Sequence, residues 1–226
     1  MSDLKTPIFL TNLKTYPEST GDNACKLARI AEAASQKMGV QVIVAPQTCD
    51  IFRVSSLVRI PVFSQHVDPV EPGKHTGYTP IEAVKQAGAE GTLINHAEHQ
   101  LTIGEIRYII DRCRRVGVAS FVCADTPEAS AFSALLQPDA ILFEPPELIG
   151  TGVSVSKAKP MSITQTVKLV RSVNSDVVLM CGAGIANGED VKVAMQLGMQ
   201  GVGVTNGFVK ASDPQAALLE MLSMIK

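Results

Sequence analysis

The chain has 226 residues, a net charge of −2 and 46% hydrophobic residues, but only 4% aromatics and no Trp, so its core must be aliphatic, of the kind that suits buried parallel strands. Lys and Arg are scattered rather than striped, which argues against a nucleic-acid or acidic-membrane partner and for a small ligand. No stretch reaches the roughly 20 apolar residues needed to span a bilayer, MSDLKTPIFL lacks a leader pattern, and five widely spaced cysteines suggest neither a disulfide framework nor a zinc site. A soluble, cytoplasmic protein with reduced thiols is expected.

In chain order the apolar runs Ile8–Leu13, Gln41–Ala45, Val62–Gln65, Gly91–Asn95, Ala119–Cys123, Ala140–Phe143, Val177–Met180 and Gly201–Val204 read as strands. Between them lie helically spaced sets such as Ala24, Leu27, Ala28 and Ala31, then Ile106, Ile109, Ile110 and Cys113, then Ile163, Val167 and Val170. Asp213-Pro214 and Pro160 mark helix starts. The longest irregular piece runs from Asp68 to Pro80, and no composition shift marks a linker, so one domain over residues 1–226 is preferred to two. Eight strands is the count of a closed (β/α)8 barrel, although periodicity alone leaves a doubly wound open sheet possible.

The residues just after each strand carry the chemistry in such a barrel. Asn12 and Lys14 follow the first run, Gln65-His66 the third, and Asn95-His96-Ala97-Glu98-His99 the fourth. Taken alone, Lys14 and Asn12 are a surface lysine beside a turn asparagine. His96 and His99 have a metal-ligand spacing but no third ligand, so no metal is expected. His96 falls where an apolar run meets a helical segment, whose N-terminus would keep the imidazole neutral. Glu144 ends the sixth run; desolvation there raises a carboxylate toward a useful general base, whereas the plain alternative is a strand-end salt bridge. Pro145-Pro146 stiffens the start of the next loop, and Gly150 and Gly152 loosen its end, the design of a hinged lid. After the seventh run, Gly182-Ala183-Gly184 opens a helix as a glycine-rich turn of the sort that presents N–H groups to a phosphate.

Together, N-x-K, N-H-x-E, E-P-P-E-L-I-G-T-G and G-A-G-I resemble the triosephosphate isomerase family over nearly the whole chain. The short length, SQHVDP, His75-Thr76-Gly77 and VSKAKP resemble its archaeal branch. The resemblance implies a single-domain TIM barrel that interconverts dihydroxyacetone phosphate and glyceraldehyde 3-phosphate through an enediolate, with no cofactor or metal. It makes Glu144 the base and neutral His96 the electrophile, with Lys14 and Asn12 at the oxyanion. The base and electrophile roles follow the enzyme's standing as a reference case of pKa tuning. It places Gly150, Gly182, Ala183, Gly184, Thr205 and Asn206 at the phosphate. A homodimer or homotetramer is implied, with Thr76 on a loop that enters a neighbouring subunit. Two departures stand out: Ala97 replaces a serine, and Thr205-Asn206 replaces smaller pairs such as Ala-Ser. They keep open a weakly active or non-catalytic barrel that binds a phosphorylated metabolite. An indole- or prenyl-glycerol phosphate type of barrel fits the phosphate loops but not N-x-K with H-x-E.

Overall fold

The computed structural model describes residues 4–225; Met1–Asp3, the start of the stretch read for a leader, and Lys226 lie outside the described residues. Eight strands form one sheet: β1 (Ile8–Asn12), β2 (Gln41–Ala45), β3 (Phe63–Ser64), β4 (Gly91–Ile94), β5 (Ala119–Ala124), β6 (Ala140–Phe143), β7 (Val178–Cys181) and β8 (Gly201–Val204). Neighbours pair in parallel in the order β2-β1-β8-β7-β6-β5-β4-β3, and a lone parallel bridge between Val44 and Val62 brings the two ends together. The order settles closure in favour of the barrel.

The helices are α1 (Asp22–Met38), α2 (Ile51–Ser55), α3 (Ile81–Gln86), α4 (Ile103–Val116), α5 (Pro127–Leu135), α6 (Val155–Ala158), α7 (Pro160–Val173), α8 (Gly188–Gln196), α9 (Asn206–Val209) and α10 (Pro214–Ser223). Their starts follow from local chemistry. Asp213 caps α10 by accepting the Ala216 N–H, with Pro214 at the first helical position, and Pro160 opens α7. At α4, Thr102 and Glu105 form a reciprocal capping box.

Side chains alternate along each strand between two apolar layers. Ile8, Leu10, Ile43, Phe63, Phe121, Leu142 and Met180 fill the inside of the barrel, where the Phe63 and Phe121 rings meet edge-on at 4.8 Å. Phe9, Val42, Val44, Val122, Ile141 and Leu179 face outward against helix residues such as Leu27, Ile109, Ile163 and Leu218. Each fully buried Leu, Ile or Phe contributes about 1.5–3 kcal/mol, so the barrel is a packed core with no channel through it. Polar function is thereby pushed to the strand ends. No helix among the described residues is long and apolar enough to cross a membrane.

Of the five free thiols, Cys113, Cys123 and Cys181 are buried, Cys25 is half-buried and Cys49 is exposed. Burial pushes the Cys113 thiol up to about 12.

Candidate active site

The ends of β1, β4, β6, β7 and β8 converge on one cleft at the C-terminal face of the barrel. Its lining includes Lys14, His96, Glu144, Gly150, Ala183 and Gly184, with Thr205 and Asn206 across from them. Six separate sequence segments thus reach a single site.

Glu144 follows directly on β6, held by its N–H to Ala124 O at 2.8 Å. Its side chain is 12% exposed, and Oε2 is buried with no hydrogen-bond partner among the described residues. Burial raises its pKa above the ordinary glutamate value; the neighbouring His96 and the Lys14 ammonium oppose that rise, and the Ala183 N–H does so more weakly. Oε2 stands 3.5 Å from His96 Nε2. Among the described residues no lysine or arginine forms a salt bridge with this carboxylate; its nearest basic neighbour is His96.

His96 lies on a tight turn and not at a helix start. Its carbonyl accepts the His99 N–H at 2.8 Å, and α4 begins only at Ile103, because the Thr102–Glu105 capping box fixes the helix start there. The expectation that a helix N-terminus holds His96 neutral thus has no helix beside it. What sets the tautomer is the Glu98 N–H, which donates to His96 Nδ1 at 3.1 Å and leaves Nε2 to carry the ring proton toward Glu144. His99 goes elsewhere, stacking on His66 with ring centroids 3.8 Å apart, so His96 and His99 do not converge.

Lys14 has φ 50°, a left-handed conformation uncommon outside glycine. Asn12 Oδ1 accepts its N–H at 2.9 Å, and Nζ pairs with Glu98 Oε1 at 2.5 Å. The Lys14 side chain is 12% exposed, so its charge is carried at the cleft wall. Asn12 itself stands behind the lining, where it fixes the loop that carries Lys14.

The loop after β6 has a short 3₁₀ turn at Pro146–Leu148, and Gly150 and Gly152 both lie at φ 76°. Its far end is stitched to the β7 loop: Val155 N–H donates to Ala183 O at 3.1 Å, Ser156 Oγ to Asp190 O at 3.0 Å, and Lys157 pairs with Asp190 at 2.7 Å. Gly184, at φ 70°, tolerates no side chain, since a Cβ would lie 1.9 Å from Val153 O.

Gly182 has a different place from the one expected. Its N–H is already taken by Phe143 O at 2.9 Å, and it is absent from the cleft lining. A Cβ there would stand 2.2 Å from Glu144 Oε1, so the glycine makes room for the carboxylate. Ala183 and Gly184 remain as the turn that faces the cleft. Thr205 and Asn206 start α9 on the opposite wall, with Asn206 exposed at the mouth.

Tyr16 and Ala186 also line the cleft and carried no signal of their own in the sequence, and Ile185 of the G-A-G-I motif lines it too. Lys210 Nζ sits 3.8 Å over the Tyr16 ring and ties the β1 loop to the end of α9. Farther out, Asp68 and Thr79 close the base of the 68–80 segment through bonds of 2.9 and 2.6 Å. Residues 71–78, Thr76 included, are all exposed.

The Triosephosphate isomerase family model matches residues 7–225. Among curated proteins, triosephosphate isomerase of Methanothermus fervidus is 47% identical over 217 residues, covering 96% of this chain and 98% of the relative. That of Methanobacterium bryantii is 45% identical over the full length of both. That of Methanobrevibacter smithii is 44% identical, covering 98% of this chain and all of the relative. The crystal structure of triosephosphate isomerase from Bartonella henselae superimposes with a TM-score of 0.75 over 97% of this chain and 100% of that one; at 16% identity it supports the barrel fold alone.

Proposed function

The chain belongs to the triosephosphate isomerase family, and on that premise we propose that Glu144, His96, Lys14 and Asn12 carry the isomerisation. The activity is the interconversion of dihydroxyacetone phosphate and D-glyceraldehyde 3-phosphate, a step of glycolysis and gluconeogenesis. The non-catalytic alternative is not favoured: the relatives are named isomerases over nearly the whole chain.

The observation that carries the site assignment is the desolvated Glu144 carboxylate, its Oε2 unpartnered and 3.5 Å from the Nε2 of a tautomer-fixed His96. Glu144 takes a proton from the carbon beside the substrate carbonyl and returns it to the neighbouring carbon. His96 Nε2–H donates to the oxygen on which charge develops, and neutral imidazole suits this because its remaining proton is held less loosely than that of a strong acid. Lys14 stabilises the same developing charge, an effect strengthened in a site that excludes water, and Asn12 acts through it by holding the Lys14 N–H from behind the lining.

The phosphate rests against Ala183, Gly184, Thr205 and Asn206, with Gly150 closing over it from the lid; Gly182 contributes by clearing space for Glu144. Closure keeps water from the enediolate and blocks loss of phosphate from it. No cofactor enters this proton shuttle. The exposed 71–78 segment, with its closed base, supports a homodimer or homotetramer in which the Thr76 loop enters a neighbouring copy. The reaction is a cytoplasmic one.

The test is a coupled assay of glyceraldehyde 3-phosphate isomerisation by the purified protein beside Glu144→Gln. Turnover that falls by about 10²–10⁴-fold in the variant supports the assignment. Equal rates in both overturn it.

A further inference from the structure

Asp190 is the third residue of α8, and its side chain is only 3% exposed, a place where a charge is costly unless it is paired. Its two carboxylate oxygens face different loops. Oδ2 accepts the Ala186 N–H at 3.0 Å, and Ala186 lines the cleft just beyond Gly184 and Ile185. Oδ1 has one partner among the described residues, Lys157 Nζ at 2.7 Å, and Lys157 belongs to α6 at the end of the lid. The Asp190 carbonyl also accepts the hydroxyl of Ser156, the neighbour of Lys157.

An acidic residue three positions past a helix cap is often no more than a partner in the cap. Here the cap is already made by Asn187, whose Oδ1 accepts the Asp190 N–H at 3.1 Å. The Asp190 carboxylate reaches past it to the N–H of the residue before the cap, and it does so from a buried position that aspartate rarely takes without a partner. Ala186 in turn abuts the opposite wall of the cleft, since a Cβ built on Gly207 would stand 3.0 Å from Ala186 Cα. A shift of Ala186 is therefore felt on both sides of the cleft.

We infer that Asp190 is a positioning residue for the isomerisation and Lys157 the cation that holds it: the carboxylate ties the phosphate turn at Ala186 to the end of the lid, so that the two loops meeting at the phosphate keep one register. The inference rests on the phosphate site proposed above. Without Lys157 the buried carboxylate keeps a single donor on its side chain, the Ala186 N–H, and the turn or α6 must move to bring water to it. The loss falls on phosphate binding more than on proton transfer, because Glu144 and His96 follow other strands.

The experiment measures kcat and KM for glyceraldehyde 3-phosphate, the inhibition constant of inorganic phosphate, and Tm, for wild type, Lys157→Met, Lys157→Arg and Asp190→Asn. Lys157 is half exposed, so its replacement leaves the core packing intact. Lys157→Met should raise KM and the phosphate constant together by a factor on the order of 10, a part of the roughly 100-fold that an ångström of misplacement costs. The fall in kcat should be no more than about threefold, as expected when binding is what has been weakened. Lys157→Arg keeps a cation within reach of Oδ1 and should bring both constants to within about twofold of wild type. Asp190→Asn keeps an acceptor for the Ala186 N–H but sets an uncharged amide against the lysine, and should lose at least as much as Lys157→Met.

A carboxylate that merely braces α8 would lower Tm in Lys157→Met and leave KM and the phosphate constant at wild-type values; that result overturns the inference. A loss that arginine fails to reduce overturns it too. If Asp190→Asn fails to fold, the two substitutions at Lys157 decide by the same criteria. Equal rates in wild type and Glu144→Gln sink the reading of the site and this inference with it. An active wild type, an inactive Glu144→Gln and an unchanged Lys157→Met sink this inference alone.

Discussion

At the N-terminal end of the barrel, Arg171 donates to the carbonyls of Ser175 at 3.1 Å and Val177 at 2.7 Å and to the Gln200 side chain, while Asp139 takes both the N–H and the hydroxyl of Ser120. At the C-terminal end of the same strands, Glu144 Oε2 is buried without a hydrogen-bond partner. Three of the four non-glycine residues with positive φ among the described residues, Lys14, Asn95 and Ala183, stand at that end as well; the fourth, Gln137, follows α5 at the other. One end satisfies its polar groups and fixes the strands. The other leaves a carboxylate unsatisfied and holds backbone in costly conformations, which is where strain is kept for chemistry.

If this contrast is right, Glu144→Gln should lose the most activity and gain stability. The activity loss of about 10²–10⁴-fold is the largest effect expected in the molecule. The stability gain has a pH signature. A carboxyl group whose folded pKa is raised contributes stability that is fully present below its unfolded pKa of about 4.3 and lost as pH rises through the folded value. Above the folded value the wild type bears an ionised, desolvated group, and there Glu144→Gln should melt higher. The gap should close below about pH 4. Thermal unfolding from pH 3.5 to 8 measures it; a variant less stable than wild type at pH 7.5 would break the contrast.

Gly184→Ala should come next. The added methyl meets Val153 O at 1.9 Å in a residue already at φ 70°, so either the lid's end or the phosphate turn must move. A loss of kcat/KM on the order of 100-fold is expected, together with about 1–3 kcal/mol of stability. Steady-state kinetics matching wild type would mean that the two loops are not held in register by this contact.

Much of this was legible in the sequence, and the failures have two causes, an overlooked local motif and partners far along the chain. All eight strands appear as buried apolar runs, with β2, β6 and β8 matching to the residue, because both faces of a barrel strand are apolar. The third run, read as Val62–Gln65, shrinks to Phe63–Ser64: Val62 makes only the lone bridge to Val44, and Gln65 turns its amide onto two carbonyls at the rim. Placing His96 at a helix start missed the T-x-x-E signature of Thr102–Glu105, which was present in the sequence and fixes α4 seven residues later. Lys14, His96 and Glu144 could be singled out because each follows its own strand. Tyr16 could not, since what matters for it is a partner far along the chain, Lys210; Gln65 was among the residues at strand ends, but its bond to the Lys14 carbonyl 51 residues away was not legible.

The N-terminal end supplies the reverse test. Arg171→Met removes the donor to the Val177 and Ser175 carbonyls and to Gln200, with a stem of similar length to preserve packing. The expected cost is about 2–3 kcal/mol, since hydrogen bonds from a charged donor are the stronger kind, with kcat and KM at 25 °C unchanged. Denaturant unfolding beside the coupled assay gives both numbers. A fall in kcat would show that the two ends are mechanically linked.

Ser120→Ala is the smallest and cleanest change at that end. The serine is buried, and its hydroxyl donates to Asp139 Oδ2 at 2.9 Å and accepts the Asp139 N–H at 3.2 Å. Alanine deletes both bonds, yet Oδ2 keeps the Ser120 N–H at 2.8 Å, so the carboxylate is not orphaned. About 1 kcal/mol should be lost, a fall of roughly 2–4 °C in Tm for a chain of this size. Because β5 also carries Cys123, whose thiol lies against Glu144, the substitution tests whether a loosened strand base is felt at the other end of that strand. Unchanged kcat/KM with the lower Tm would mean that the packed barrel interior insulates the site from its foundations. A joint fall would mean that the position of Glu144 is set along the whole length of β5 and β6 and not only at the rim.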